Sequence, residues 1–99
     1  MKLLVKKHSV GGTVLLAICD PDVLGRTLVG PRNARITVKR PFYGDTEMEA
    51  EDLQKELPNA VSINAIGRKS VNFLLSCGYG NSRSVIEFEG VPHMIFMRV

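Results

Sequence analysis

The stretch from residue 63 to residue 78 constrains the fold more than any other part of the chain. It reads INAIGRKSVNFLLSCG, with apolar residues recurring at steps of three and four. That spacing puts side chains on one face of a helix and predicts a core helix across the stretch. Ser62 or Asn64 can cap the start of this helix, and Gly78 can end it in a left-handed conformation.

The first turn of this predicted helix carries Gly67, Arg68 and Lys69. Free backbone amides, the helix dipole and two cations would then face the same solvent, which is a physical basis for holding an anion. We therefore predict an anion-binding site made of Asn64, Gly67, Arg68 and Lys69. The alternative is a capped helix whose glycine admits a neighbouring strand, and the sequence contains neither a Walker loop nor a dinucleotide fingerprint.

The 99 residues are enough for one hydrophobic core, so we expect a single domain over residues 1–99. The longest uncharged apolar run, residues 14–19, is far shorter than the roughly twenty residues that span a bilayer. The first residues lack the long apolar region and cleavage site of a signal peptide. We expect a cytoplasmic protein with no membrane partner.

The chain alternates between strand-like and helix-like patterns. Residues 45–57 form an acidic segment with a narrow apolar stripe, which predicts a surface helix capped by Asp45 or Thr46. Together with the central helix, this order predicts an α+β fold: an antiparallel or mixed sheet of about five to six strands with two helices packed on one face. The strand-like segments are residues 2–7, 13–19, 26–29, 35–39, 84–89 and 91–99.

The net charge of +3 conceals an uneven distribution of charge. Six of the ten acids fall in residues 45–56, whereas the rest of the chain has twelve basic and four acidic residues, a balance of +8. Such a distribution attracts polyanions to one side of a protein, although surface charge also serves solubility. Phe42 and Tyr43 follow two cations and could stack a base of single-stranded RNA. The predicted nucleic-acid-binding residues are Lys6, Lys7, Arg35, Lys39 and Arg40.

His93 follows a proline at a predicted strand start, where its imidazole could be held rigidly as an acid, a base or a ligand. A hydrogen-bonded structural histidine is the alternative. Cys19 and Cys77 lie 58 positions apart, which indicates neither a zinc pair nor a disulfide framework, so both are expected to be reduced and buried. No spacing typical of a metal site is present, and we predict no metal and no cofactor.

Four segments of the chain resemble the archaeal domain-of-unknown-function family 424. They are AICDPDVLGRTL at residues 17–28, FYG at 42–44, NAIGRKSV at 64–71 and EGVPHMIF at 89–96. The resemblance implies a small single-domain protein from the archaeal cytosol, and it implies no activity. Arg68 stands where the family is expected to have an acidic or small residue, so a basic helix start is not implied by the resemblance.

The leading hypothesis is a non-enzymatic module that binds an anionic partner, with RNA or a ribonucleoprotein favoured. A first alternative is a small enzyme or nucleotide-binding protein, in which His93 approaches the predicted phosphate cradle at residues 64–69. A second alternative is a protein-interaction adaptor or a homodimer that uses an edge strand and the acidic helix.

Overall fold

The protein is built on a six-stranded mixed sheet, seen in a computed structural model that describes residues 1–44 and 46–99. The strands are β1 (Lys2–Val10), β2 (Thr13–Cys19), β3 (Thr27–Val29), β4 (Arg35–Thr37), β5 (Thr46–Glu49), β6 (Ser62–Ile66), β7 (Ile86–Phe88) and β8 (Val91–Met97). The helices are α1 (Arg40–Tyr43), α2 (Ala50–Glu56) and α3 (Arg68–Ser76).

The order of strands in the large sheet is β5-β1-β2-β6-β8-β7, while β3 and β4 form a separate two-stranded sheet. All neighbours are antiparallel except β2 and β6, which run parallel at the centre. The predicted α+β fold with a mixed sheet is therefore confirmed. Among the described residues, no helix has the length and apolarity to traverse a lipid bilayer.

The predicted strand-like segments at residues 2–7 and 13–19 form an antiparallel hairpin of β1 and β2. Gly11 and Gly12 form its turn with φ angles of +56° and +82°, a left-handed conformation that glycine adopts without steric cost. Val10 pairs with Thr13 directly beside this turn, and the pairing continues to Leu4 and Cys19. Local pattern and turn chemistry agree here, and the hairpin forms where they indicate.

The single helix predicted over residues 63–78 is wrong for its first five residues, 63–67. Ser62–Ile66 forms strand β6, and the chain then turns at Gly67, whose φ of +112° excludes a helical conformation. Helix α3 begins only at Arg68, so Ser62 and Asn64 lie in a strand and cap nothing. The reason is that Ile63, Ala65 and Ile66 are all fully buried, which a central strand with both faces covered achieves.

The predicted end of the same helix is confirmed. Gly78 has a φ of +87°, and its N–H donates to the carbonyl of Leu75 at 3.0 Å. The N–H of Tyr79 reaches back to the carbonyl of Leu74, also at 3.0 Å. These two bonds close the helix in the pattern that a left-handed glycine permits.

Helices α2 and α3 pack on one face of the sheet, which we call the helix face. The prediction of two helices on one face is thus confirmed, although the acidic helix is shorter than expected because Thr46–Glu49 forms β5 instead. Thr46, one of the two predicted caps of that helix, therefore lies in a strand, and Asp45, the other predicted cap, lies outside the described residues. The fully buried side chains of this core include Leu3, Leu16, Ile18, Leu53, Leu57, Ile63, Leu74 and Met94.

Residues 21–44, which we call the hairpin layer, cover half of the opposite face of the sheet, the hairpin face. The layer contains β3, β4 and α1, and its buried side chains pack on Cys19 and Ile66. The other half of this face is open: Ile95 and Met97 are 49% and 70% exposed. The side chains that the layer contributes to the second core are Val23, Leu28, Val38 and Tyr43.

Candidate functional site

Two polar clusters lie around the central strands of the sheet. Because β2 and β6 are parallel, their carboxyl ends meet at one edge, where Asp20 follows β2 and Gly67 follows β6. The N–H of Asp20 donates to the carbonyl of Ile66 at 3.1 Å and ties the two ends together. In open sheets this edge is the usual place for a ligand.

In this protein the carboxylate of Asp20 occupies the position at this edge where a ligand would otherwise bind. One oxygen, Oδ1, accepts from the backbone N–H of Ser70 at 2.8 Å and from its hydroxyl at 2.7 Å. The other oxygen accepts from the N–H of Lys69 at 3.0 Å. Asp20 is 5% exposed and Ser70 is fully buried. The amides at the start of α3 are therefore already bonded to a carboxylate of the same chain.

The four residues of the predicted anion site do not assemble as a helix start. Gly67 is buried, and a Cβ added there would lie 2.3 Å from Cγ of Asp20, so the backbone is pressed against the carboxylate. Arg68 donates to the carbonyl of Gly90 at 3.0 Å. Asn64 lies on the hairpin face of β6, away from Lys69.

The second polar cluster joins Tyr43, Asn64 and His93, which come from α1, β6 and β8. Oδ1 of Asn64 accepts from the Tyr43 hydroxyl at 2.5 Å and is 3.1 Å from Nε2 of His93. A carbonyl oxygen can only accept, so Nε2 of His93 carries a hydrogen. His93 thus approaches Asn64, as the enzyme or nucleotide-binding alternative requires, but in the phosphate cradle of that alternative the N–H of Lys69 donates to Asp20 and the N–H of Gly67 donates to the carbonyl of Pro92.

Burial controls the protonation of this cluster. Desolvation lowers the pKa of His93 below 6.5, so the imidazole is neutral at pH 7. Desolvation also raises the pKa of Tyr43 well above 10, which keeps its hydroxyl a donor. Beneath them, burial and then the charge of Asp20 raise the pKa of Cys19 to about 12. Cys19 is therefore a neutral thiol at physiological pH.

Two nitrogens of the cluster reach solvent. Neither Nδ2 of Asn64 nor Nδ1 of His93 has a hydrogen-bond partner in residues 1–44 and 46–99. Over those same residues, no buried side-chain nitrogen or oxygen lacks a partner. Both nitrogens must therefore contact water. The cluster presents a free donor and a free acceptor at the border between the covered and open halves of the hairpin face.

The predicted basic residues fall into separate groups. Alternation along β1 puts Lys6 on the hairpin face and Lys7 on the helix face, where Lys7 pairs with Glu56 at 3.0 Å. Arg35, Lys39 and Arg40 all belong to the hairpin layer. The layer adds two further arginines that the sequence analysis did not single out, Arg26 and Arg32.

A cleft of about 380 Å³ opens within the hairpin layer. Its cations are Lys39 and Arg40, its hydroxyl comes from Thr37, and none of the described carboxylates lines it. We call it the basic cleft. The lining residues are Leu24, Gly25, Thr37, Val38, Lys39, Arg40 and Pro41.

Phe42 and Tyr43, the aromatic pair predicted to stack a base, point in different directions and have different neighbours. Tyr43 is 3% exposed and points inward to Asn64. Phe42 is half-buried and stacks on His8, with ring centroids 4.9 Å apart and an interplanar angle of 24°. Nε2 of His8 is 2.8 Å from the carbonyl of Phe42, which holds the stacked pair in place.

The remaining titratable residues form no further site within the described part of the chain. No three His, Cys, Asp or Glu side chains there come together as metal ligands. Both cysteines are free thiols; Cys19 is buried as predicted, whereas Cys77 is half-buried. Tyr43 is the functional candidate that sequence reasoning assigned to the wrong role, because its inward orientation depends on α1 packing against the sheet.

Comparison with known proteins agrees with the resemblance found in the sequence. Residues 8–99 match the profile of a family described as "Protein of unknown function (DUF424)". A crystal structure of an uncharacterized conserved protein from Methanopyrus kandleri is similar over 100% of this chain and 95% of its own, with 28% identity and a TM-score of 0.77. No protein with a curated description matches the chain.

Proposed function

Since the chain belongs to the DUF424 family of proteins of unknown function, we propose a function from the site itself: a cytoplasmic, non-enzymatic module that binds single-stranded RNA or a ribonucleoprotein. The observation that carries this proposal is the basic cleft, which is lined by Lys39 and Arg40 and, among residues 1–44 and 46–99, by no carboxylate. A guanidinium and an ammonium in a partly apolar cleft are suited to a phosphate group.

Cations outnumber acids in the hairpin layer around the basic cleft. Arg26, Arg32, Arg35, Lys39 and Arg40 lie in one layer of 24 residues, numbers 21–44, and Asp22 is the only acid in that segment. Within the part of the chain that the structure describes, none of the five cations has a carboxylate within 4.0 Å. Unpaired cations release condensed counterions when they meet phosphates, which drives binding to a nucleic acid.

In a second cleft, the lysine that lines the surface is paired with a carboxylate. This cleft has a volume of about 270 Å³ and lies on the helix face, where Lys7 and Glu56 form an ion pair at its rim. A phosphate entering there would have to compete with the carboxylate of Glu56. We therefore place the anionic partner at the hairpin layer and not at the helix face.

Single-stranded RNA is favoured over other polyanions because of the surface beside the layer. The stacked Phe42 and His8 rings and the exposed side chains of Ile95 and Met97 lie on the hairpin face of the sheet. Unpaired bases bind proteins by stacking on such rings and apolar surfaces, while a duplex keeps its bases covered.

The test is a salt titration of a labelled oligoribonucleotide of about 12 nucleotides, followed by fluorescence anisotropy. The test variant is Lys39→Gln with Arg40→Gln, and the matched control is Lys7→Gln with Lys55→Gln, which removes the same charge from cations paired with Glu56 and Asp52. We expect the test variant to bind at least about tenfold more weakly at about 50 mM salt, and its log–log salt slope to fall by about 1.4.

The proposal is overturned if the unmodified protein does not bind the oligoribonucleotide at about 50 mM salt, or if its affinity does not fall as salt increases. It is equally overturned if the control variant loses as much affinity as the test variant, because net charge and not the basic cleft would then be responsible.

A further inference from the structure

We propose that Asn64 and His93 form a nucleobase-recognition site on the hairpin face of the sheet. The inference rests on the proposed function and deepens it, because it identifies which part of a single strand the protein contacts besides phosphate. The carrying observation is that Oδ1 of Asn64 is shared by the Tyr43 hydroxyl and Nε2 of His93, at 2.5 Å and 3.1 Å.

Those two bonds fix the orientation of both polar groups. With Oδ1 of Asn64 held by two donors, its Nδ2 amino group is directed to the remaining side, where it contacts water. With Nε2 of His93 donating, the lone pair of the neutral ring lies on Nδ1. Tyr43 is a positioning residue in this arrangement, since it is 3% exposed and acts only through Asn64.

The chemistry of the free atoms selects a class of ligand. Nδ2 of Asn64 donates and Nδ1 of His93 accepts, so a complementary ligand has both an acceptor and a donor. Each nucleobase has such a pair on its Watson–Crick edge, for example N1 and the amino group of adenine or O4 and N3–H of uracil. A phosphate or a carboxylate presents acceptors only and leaves Nδ1 of the neutral imidazole unpaired.

The surroundings suit a planar ring. Ile95 pairs directly with Asn64 across β6 and β8, shares the hairpin face with it and is 49% exposed. On the other side of Asn64, the neighbouring residue Ala17 is fully buried under the hairpin layer, so the open apolar surface beside Asn64 is that of Ile95. A base that bonds to Asn64 and His93 can therefore lie over an apolar surface, the environment in which such bonds are strongest.

Uncharged nucleosides test the site separately from the basic cleft, because they contain no phosphate. The probes are adenosine, cytidine, guanosine and uridine, each titrated into the full chain and followed by NMR. We expect at least one nucleoside to shift the side-chain amide signal of Asn64 and the ring signals of His93. The long-range ¹H–¹⁵N spectrum of the ring should also show a hydrogen on Nε2 and none on Nδ1.

Two variants make the test specific. His93→Gln retains an N–H near the position of Nε2 but has no acceptor in place of Nδ1, and Asn64→Asp replaces the Nδ2 donor by an acceptor. We expect nucleoside affinity to fall about tenfold or more in each, the effect of one lost hydrogen bond. The matched control is Asn72→Asp on the exposed surface of α3, which should bind nucleosides like the unmodified protein.

The inference is wrong if no nucleoside shifts Asn64 or His93, or if His93→Gln binds nucleosides as well as the unmodified protein does. RNA binding through Lys39 and Arg40 without any nucleoside response removes this inference and leaves the proposed function standing. A nucleoside response without salt-dependent RNA binding supports the base site and removes the proposed function.

Discussion

The Asp20–Ser70 cluster and the Tyr43–Asn64–His93 cluster have the same kind of architecture but differ in completeness. Each joins elements that are distant in sequence, across 50 positions for Asp20 and Ser70 and across 29 for Asn64 and His93. In the first cluster, both carboxylate oxygens accept hydrogen bonds and the groups are almost wholly buried. In the second, one amide nitrogen and one ring nitrogen remain in contact with water.

We infer from this difference that the first cluster is structural, whereas the second could serve the proposed binding role. A complete buried network has no capacity for a ligand, because any incoming group would have to break a bond inside the protein. The start of α3 belongs to that class, although its sequence is typical of an anion site. A network with fixed but unfilled donors and acceptors is preorganised for a partner at little entropic cost.

The largest effect is expected from Asp20→Ala, which opens the closed Asp20–Ser70 cluster and should destabilise the protein by about 3 kcal/mol. The substitution removes the cap of α3 and leaves the Ser70 hydroxyl and two amides without their acceptor. Urea unfolding followed by circular dichroism measures the effect, with the exposed Asp22→Ala as a control that should stay within about 0.5 kcal/mol. A loss below about 1 kcal/mol for Asp20→Ala would contradict a structural role for the closed cluster.

Acidification should protonate His93 in the open Tyr43–Asn64–His93 cluster, and we expect it to lower the free energy of unfolding by an intermediate amount. The pKa of His93 is lowered in the fold from 6.5, so the unfolded chain binds more protons than the folded chain between the folded pKa and 6.5. Its contribution to stability is complete above 6.5 and is lost as pH falls through that window, by at most about 1.4 kcal/mol per pH unit.

The measurement is the free energy of unfolding from pH 8 to pH 5 for the unmodified protein and for His93→Gln. The difference between the two curves isolates His93 from the carboxylates, which titrate in both proteins. Nucleoside binding should weaken over the same pH range, since protonation places a hydrogen on Nδ1. A difference between the curves that does not vary with pH would show that His93 is not buried as described.

The smallest expected effect comes from deleting one hydroxyl in each cluster. Ser70→Ala and Tyr43→Phe each remove one hydrogen bond from a buried oxygen and should cost about 1 kcal/mol in urea unfolding. Only Tyr43→Phe should also weaken nucleoside binding, because it releases the Asn64 amide from its fixed orientation. Equal nucleoside affinity in the two variants would remove the distinction between a closed and an open cluster.

The parts of the fold that were predictable from sequence are those specified by local pattern. The hairpin of β1 and β2 follows from strand-like runs on either side of Gly11 and Gly12, and the end of α3 follows from Gly78. The segment Ser62–Ile66 was misassigned because its apolar positions satisfy helical and strand periodicity equally. Burial on both faces of the sheet decides between them, and burial is a property of the whole fold.

The candidate site was predictable only in its individual residues. Asn64 and His93 stand out as polar residues in otherwise apolar segments, which was the available signal. Their contact depends on the antiparallel register that pairs Ile66 with His93, and no local pattern encodes that register. The partners of Asp20 were not evident from sequence, because they begin 49 positions later at Lys69.

The place of β8 between β6 and β7 links folding to protein synthesis. Strands β5, β1, β2 and β6 can all be translated before β8, yet β6 then has no neighbour on one side. A nascent chain interrupted before residue 91 consequently exposes the backbone edge of a strand that carries apolar side chains on both faces. Such an edge pairs readily with other chains, and the pairing of β8 with β6 covers it in the folded molecule.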